Sequence, residues 1–146
     1  MRRFITLIAF GFGLAVSTLA SAGETSKEVT LYKTPACTCC ESYAQYLREN
    51  GYAVTVEATH DLAVMNEEAG LPAGFEGCHL AFVDDYVVSG HVPVNVVDRM
   101  LEERPDVKGI TLPGMPLGSP GMGDVKPEPL TIYEFGDDAP QVYAVE

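Results

Sequence analysis

Val29-Thr30-Leu31-Tyr32-Lys33-Thr34-Pro35-Ala36-Cys37-Thr38-Cys39-Cys40 is the stretch that orders the rest of the chain. Val29 to Lys33 alternates apolar and polar residues as a strand does, and Thr34-Pro35-Ala36 breaks it. Glu41 to Asn50 then places Tyr43, Ala44 and Leu47 at helical spacing, with Gly51 as a terminator. Cys37 to Cys40 therefore fall at a strand-to-helix turn. A helix start offers unpaired amide groups and the positive end of the helix dipole, which favour thiolate over thiol. Thiolate is the form that metal binding and thiol exchange both require.

Outward from that turn, Ala53 to Ala58 reads as a second strand. Asp61 to Ala69 reads as a second helix, capped by Asp61 and closed by Gly70 before Pro72. Leu80 to Val83 and Tyr86 to Ser89, joined at Asp84-Asp85, form an antiparallel hairpin. A third helix runs from Val94 to Arg104 after Pro93. The order β-α-β-α-β-β-α predicts an α/β (α+β) domain of thioredoxin-like kind, a central mixed sheet with flanking helices. A loop rich in Gly and Pro spans Leu112 to Pro129, and a C-terminal hairpin pairs Leu130–Phe135 with Gln141–Val145. No internal repeat is present.

The amino terminus reads as an export signal: Met1-Arg2-Arg3 is basic, Phe4 to Leu19 is apolar, and Ala20-Ser21-Ala22 fits a cleavage site. A membrane anchor is the competing reading, but the strongly apolar core falls short of the roughly 20 residues that span a bilayer. Residues 1–22 are thus expected to be a cleaved signal peptide and 23–146 one domain, soluble in the periplasm and free of the membrane once cut. Cleavage takes two basic residues and no acid, so the net charge moves from −12 to −14. Such a surface excludes nucleic acid as a partner. The acids are scattered, as solubility alone requires. The domain is large enough to bury a core without disulfide staples, so its four cysteines call for another reason.

Three of them sit in Cys37-Thr38-Cys39-Cys40 and the fourth, Cys78, precedes His79. An oxidising compartment makes disulfides the default expectation. Three thiols within one turn cannot all pair inside it, however, and a bridge between adjacent Cys39 and Cys40 demands a strained ring. Cys37 and Cys40 are nonetheless spaced as a redox-active dithiol, which keeps an oxidoreductase reading open.

Four segments then carry a resemblance: Tyr32 to Cys40; Gly77-Cys78-His79; Gly90-His91-Val92-Pro93; and Pro113-Gly114-Met115-Pro116-Leu117-Gly118-Ser119-Pro120-Gly121-Met122. Together, in this order, they resemble the CopG-type family of bacterial copper-resistance proteins, with no departure in the motif residues and over nearly all of the chain after residue 22. The resemblance implies a thioredoxin-like fold, a periplasmic location, several Cu(I) ions bridged by thiolates, and a redox role in copper tolerance. Periplasmic copper-handling or redox proteins are the partners that such a role implies.

Donor chemistry points the same way. Cu(I) is soft and favours thiolate, thioether and imidazole, and Cys37, Cys39, Cys40, Cys78, His79, His91, Met115 and Met122 are the candidate ligands. Zinc on three cysteines and a histidine is the main competitor. Cys78 is expected to face the start of the first helix. Adjacent strand residues point to opposite faces, so only one of Cys78 and His79 is expected to reach the site. For His91 a ligand and a satisfied loop histidine stand level, and for Met115 and Met122 loop packing stands beside ligation. His60 is assigned to the surface or to capping, and Met65 and Met100 to the core. Two functions follow: a copper-binding protein that holds Cu(I) in a cysteine-thiolate cluster and cycles its redox state, and, as the alternative, a glutaredoxin-like dithiol-disulfide oxidoreductase using Cys37 and Cys40.

Overall fold

A computed structural model describes residues 27–146; the expected signal peptide, residues 1–22, lies outside the described residues. Seven strands form one mixed sheet in the order β2-β1-β3-β4-β5-β6-β7. β1 (Lys27–Lys33) runs parallel to β2 (Tyr52–Ala58) and antiparallel to β3 (His79–Val83), which hairpins into β4 (Tyr86–Ser89). β5 (Gly109–Thr111) lies parallel to β4, and β6 (Thr131–Phe135) and β7 (Gln141–Val145) close the sheet as a hairpin. The helices are α1 (Thr38–Glu49), α2 (Leu62–Glu68) and α3 (Val94–Glu103).

The period-2 alternation of β1 distributes its side chains between two apolar layers. Val29 and Leu31 pack with Tyr43, Ala44 and Leu47 of α1 and Val96, Val97 and Met100 of α3 on one face. Tyr32 joins Leu62 of α2, Leu80, Val87 and Phe135 on the other. Met100 is core and Met65 lines the second layer, while His60 is exposed, all as expected. Asp61 stands at the N-cap of α2 but makes no side-chain capping bond, so its expected role there is not met.

Two differences from the expected elements bear on the site. α1 begins at Thr38, three residues earlier than predicted, so Cys37 is its N-cap and Cys39 and Cys40 lie within its first turn. β5 has no counterpart in the sequence reading: its three residues are all buried, which leaves no alternation to detect. Its pairing with β6 attaches the C-terminal hairpin to the sheet and fixes where the following Gly- and Pro-rich loop starts.

Candidate metal centre

Cys37 carries extended backbone angles, and its N–H donates to Thr34 O (3.0 Å), closing the turn that delivers the helix. Residues i and i+3 of a first helical turn share a side. Cys37 and Cys40 accordingly approach to a Cα separation of 5.6 Å and are joined as a disulfide. The sequence predicts them as metal-ligating thiolates; the disulfide corrects this for the oxidised chain, and a four-thiolate set belongs to the reduced chain only. Cys39 and Cys78 are free and half-buried, whereas Cys40 is fully buried.

Lys33 ends β1 on the same parity as Val29 and Leu31, so its side chain enters beneath the cysteine turn. It is 4% exposed; its ammonium pairs with Glu41 Oε1 (3.1 Å) and lies 3.4 Å from the carbonyls of Thr34 and Pro35. The ion pair thus spans the segment that carries the three cysteines.

Cys78 reaches this segment from the bend just before β3, where His79 pairs with Lys33 at the end of β1. Its Sγ lies 3.5 Å from Cys40 Sγ and 3.9 Å from Cys39 Sγ, and Cys37 Sγ is 3.4 Å from Cys39 Sγ. Burial first, then the neighbouring Cys39, pushes the Cys78 thiol up to about 12. The dipole argument for an acidic thiol does not extend to Cys78, which lies outside the helix.

Both histidines join the cluster. His91 Nδ1 is 2.6 Å from the carbonyl oxygen of Pro120, an acceptor only, so Nδ1 carries the ring proton and Nε2 keeps its lone pair. That lone pair faces Cys78 Sγ at 2.9 Å and accepts a hydrogen bond from its thiol. His79 turns Nδ1 toward Cys78 Sγ at 3.6 Å, while its Nε2 is buried with no partner. The expectation that only one of Cys78 and His79 reaches the site is therefore corrected. Cys78 lies in a bend before β3 begins at His79, and strand alternation does not operate across it. Burial, and secondarily His91, depresses His79 to about 3; burial also lowers His91, against an opposing pull from the Pro120 carbonyl. Tyr43 packs in tilted contact against both rings, with centroids 4.7 and 5.0 Å away, and donates its hydroxyl to Val92 O (2.8 Å).

The Gly- and Pro-rich loop closes the fourth side. Gly114 N–H donates to Glu76 O (2.9 Å), which sets Met115 Sδ 3.9 Å from Cys39 Sγ at an exposed rim. Met122 is half-buried in the same loop, its N–H donating to Ser119 O (2.8 Å), and it makes no polar contact with the thiols. The structure thus brings seven of the eight candidate ligands together and leaves Met122 apart. Two overlapping groups result, Cys37, Cys39, Cys40 and Cys78, and Cys40, Cys78, His79 and His91, each with its donor atoms within 4.8 Å of one another. Sequence reasoning missed Lys33, whose parity in β1 was the available signal, and the Pro120 carbonyl, a backbone contact that no side-chain pattern announces.

Two solved structures, titled copper resistance protein copG Form 1 and Form 2, are similar to this chain. Each superposes with a TM-score of 0.76 and 30% identity, over 83% and 82% of this chain respectively and 98% of the other. The chain belongs to the CopG family. A model of a protein family of unknown function, DUF411, matches residues 75–122, which in this CopG-family chain hold Cys78, His79, His91 and the Met115 loop but not the cysteine triplet. No curated protein matches. Among the described residues no helix is long and apolar enough to cross a membrane.

Proposed function

We propose that this CopG-family protein binds copper as cargo, holding several Cu(I) ions on the reduced thiolates of Cys37, Cys39, Cys40 and Cys78, and so contributes to copper resistance. The observation that carries the reading is the convergence of four sulfurs within 4.8 Å beside an imidazole lone pair already turned toward them. The donor set is soft, which suits Cu(I) and not a hard, oxygen-seeking cation. The orphaned Nε2 of buried His79 further supports a polar ligand near that ring. Met115, at the exposed rim, is suited to pass ions inward. Met122 is proposed as a loop-packing residue, since its sulfur has no thiol neighbour.

The same reading places the protein in the periplasm, with residues 1–22 removed as a signal and residues 23–146 folded as one domain. It takes β2-β1-β3-β4 with α1 and α3 as a thioredoxin-like unit, and assigns to the site an exchange of copper between Cu(I) and Cu(II) with redox partners of that compartment.

A second reading rests on the Cys37–Cys40 disulfide at the head of α1, the arrangement of a dithiol-disulfide oxidoreductase. Cys39 separates the two readings, because exchange needs only Cys37 and Cys40 whereas a cluster needs every thiolate. Cys39→Ser and Cys78→Ser are each expected to lose most bound copper while keeping a cooperative unfolding transition. Full copper retention in both, with Cys37→Ser abolishing disulfide reductase activity, would replace the copper reading by the second.

A further inference from the structure

The disulfide removes two thiols from the centre, yet the two it leaves are neighbours. Cys39 Sγ and Cys78 Sγ stand 3.9 Å apart, Met115 Sδ is 3.9 Å from Cys39 Sγ, and His91 Nε2 is 2.9 Å from Cys78 Sγ. An ion bonded to sulfur at about 2.3 Å in a tetrahedron separates its sulfurs by about 3.8 Å, which the two sulfur–sulfur spacings already match. Cys39 and His91, which share neither four-donor group, must draw together as the ion replaces the proton between His91 and Cys78. His91 is committed to this direction because Pro120 O holds the proton on Nδ1.

We propose that the disulfide-bonded chain keeps a site of its own for one soft monovalent cation, made by Cys39, Cys78, His91 and Met115. Oxidation of Cys37 and Cys40 then lowers the metal capacity to a single ion and does not abolish it. The inference rests on the copper reading of the centre. In the loaded, reduced chain, the thiolates of Cys37 and Cys40 pass two electrons to an external organic disulfide. One S–S bond forms in the protein, the external one breaks to give two thiolates, and the ions that Cys37 and Cys40 held leave with their charge unchanged. The remaining two thiolates, imidazole and thioether keep one.

The test is an anaerobic Cu(I) titration against a chromophoric Cu(I) chelator. It uses reduced wild type, metal-free oxidised wild type verified to contain two free thiols and the Cys37–Cys40 link, and Cys37→Ser/Cys40→Ser, which needs no oxidation. The expected result is more than one Cu(I) per reduced chain and one in each of the other two, with both thiols protected from alkylation. Met115→Leu should weaken that single site about tenfold or more; Met115 is 54% exposed, so this change does not act through folding. Binding of several ions by reduced wild type but none by the oxidised chain and the double variant would overturn the inference alone. Failure of reduced wild type to bind copper would overturn the reading beneath it.

Discussion

His79 shows how a buried ring sets a pH limit on the metal-free protein. Its side chain has no exposure, Tyr43 packs in tilted contact against it, and burial depresses it to about 3 from an ordinary value of about 6.5. Between those values the unfolded chain binds a proton that the folded chain refuses. Stability is therefore undiminished above pH 6.5 and falls as pH drops through the window. Each pH unit corresponds to about 1.4 kcal/mol, so metal-free protein is expected to lose about 2 kcal/mol between pH 6.5 and 5, above the range where carboxylates titrate. His91, lowered in the same direction, steepens the loss. Denaturant unfolding at the two pH values checks this, and His79→Leu should flatten the slope. Equal stability at both would show that the ring is not held neutral by burial.

At the same scale, the cysteines, His91 and Met115 were legible as candidates because soft donors in one chain are few. Their arrangement was not. Whether Cys78 and His79 share a face depended on a bend at one residue, and the His91 tautomer depends on a carbonyl that any residue at position 120 would carry.

The elements meet at the site through close backbone approach. A Cβ on Gly77 would collide with the backbone of Gly90, whose own φ of +74° is in the left-handed region that favours glycine. This contact brings the Cys78 bend against the His91 segment, and Gly77 N–H donates to Ser89 Oγ (2.9 Å) across the same seam. Gly77→Ala must push the two segments apart, with an expected loss of about 1–3 kcal/mol and weaker metal binding, because Cys78 moves away from His91. Calorimetry with a Cu(I) competition assay checks both effects. Unchanged stability and affinity would mean that the seam does not position the site.

The strands and helices that alternate or repeat clearly were readable to within a few residues. β5 was not, because three fully buried residues carry no period. The early start of α1 was hidden as well. Cysteines in a first turn carry no capping signature, and Cys37 makes no side-chain cap bond.

At the scale of the whole molecule, helices on both faces of a seven-stranded sheet leave one end where β1, the head of α1, the bend before β3 and the Gly- and Pro-rich loop converge. Every candidate ligand except Met122 is gathered there. The net charge of −12 adds an attractive but unspecific field for cations; selection rests on the donor set, not on charge. The family model alone, covering residues 75–122, would have passed over the cysteine triplet. The fold adds what the sequence does not show, placing the triplet and Cys78, residues some forty positions apart, within 4 Å.

Whether the reduced centre is a multi-copper thiolate site is read from the metal content per chain of protein purified anaerobically from the periplasmic fraction of copper-fed cells. Such protein is expected to start at or near Gly23, to carry more than one copper per chain, and to show a near-ultraviolet Cu(I)-thiolate absorption lost on acidification as protons take the sulfurs. Zinc alone, at one ion per chain, would contradict the multi-copper site.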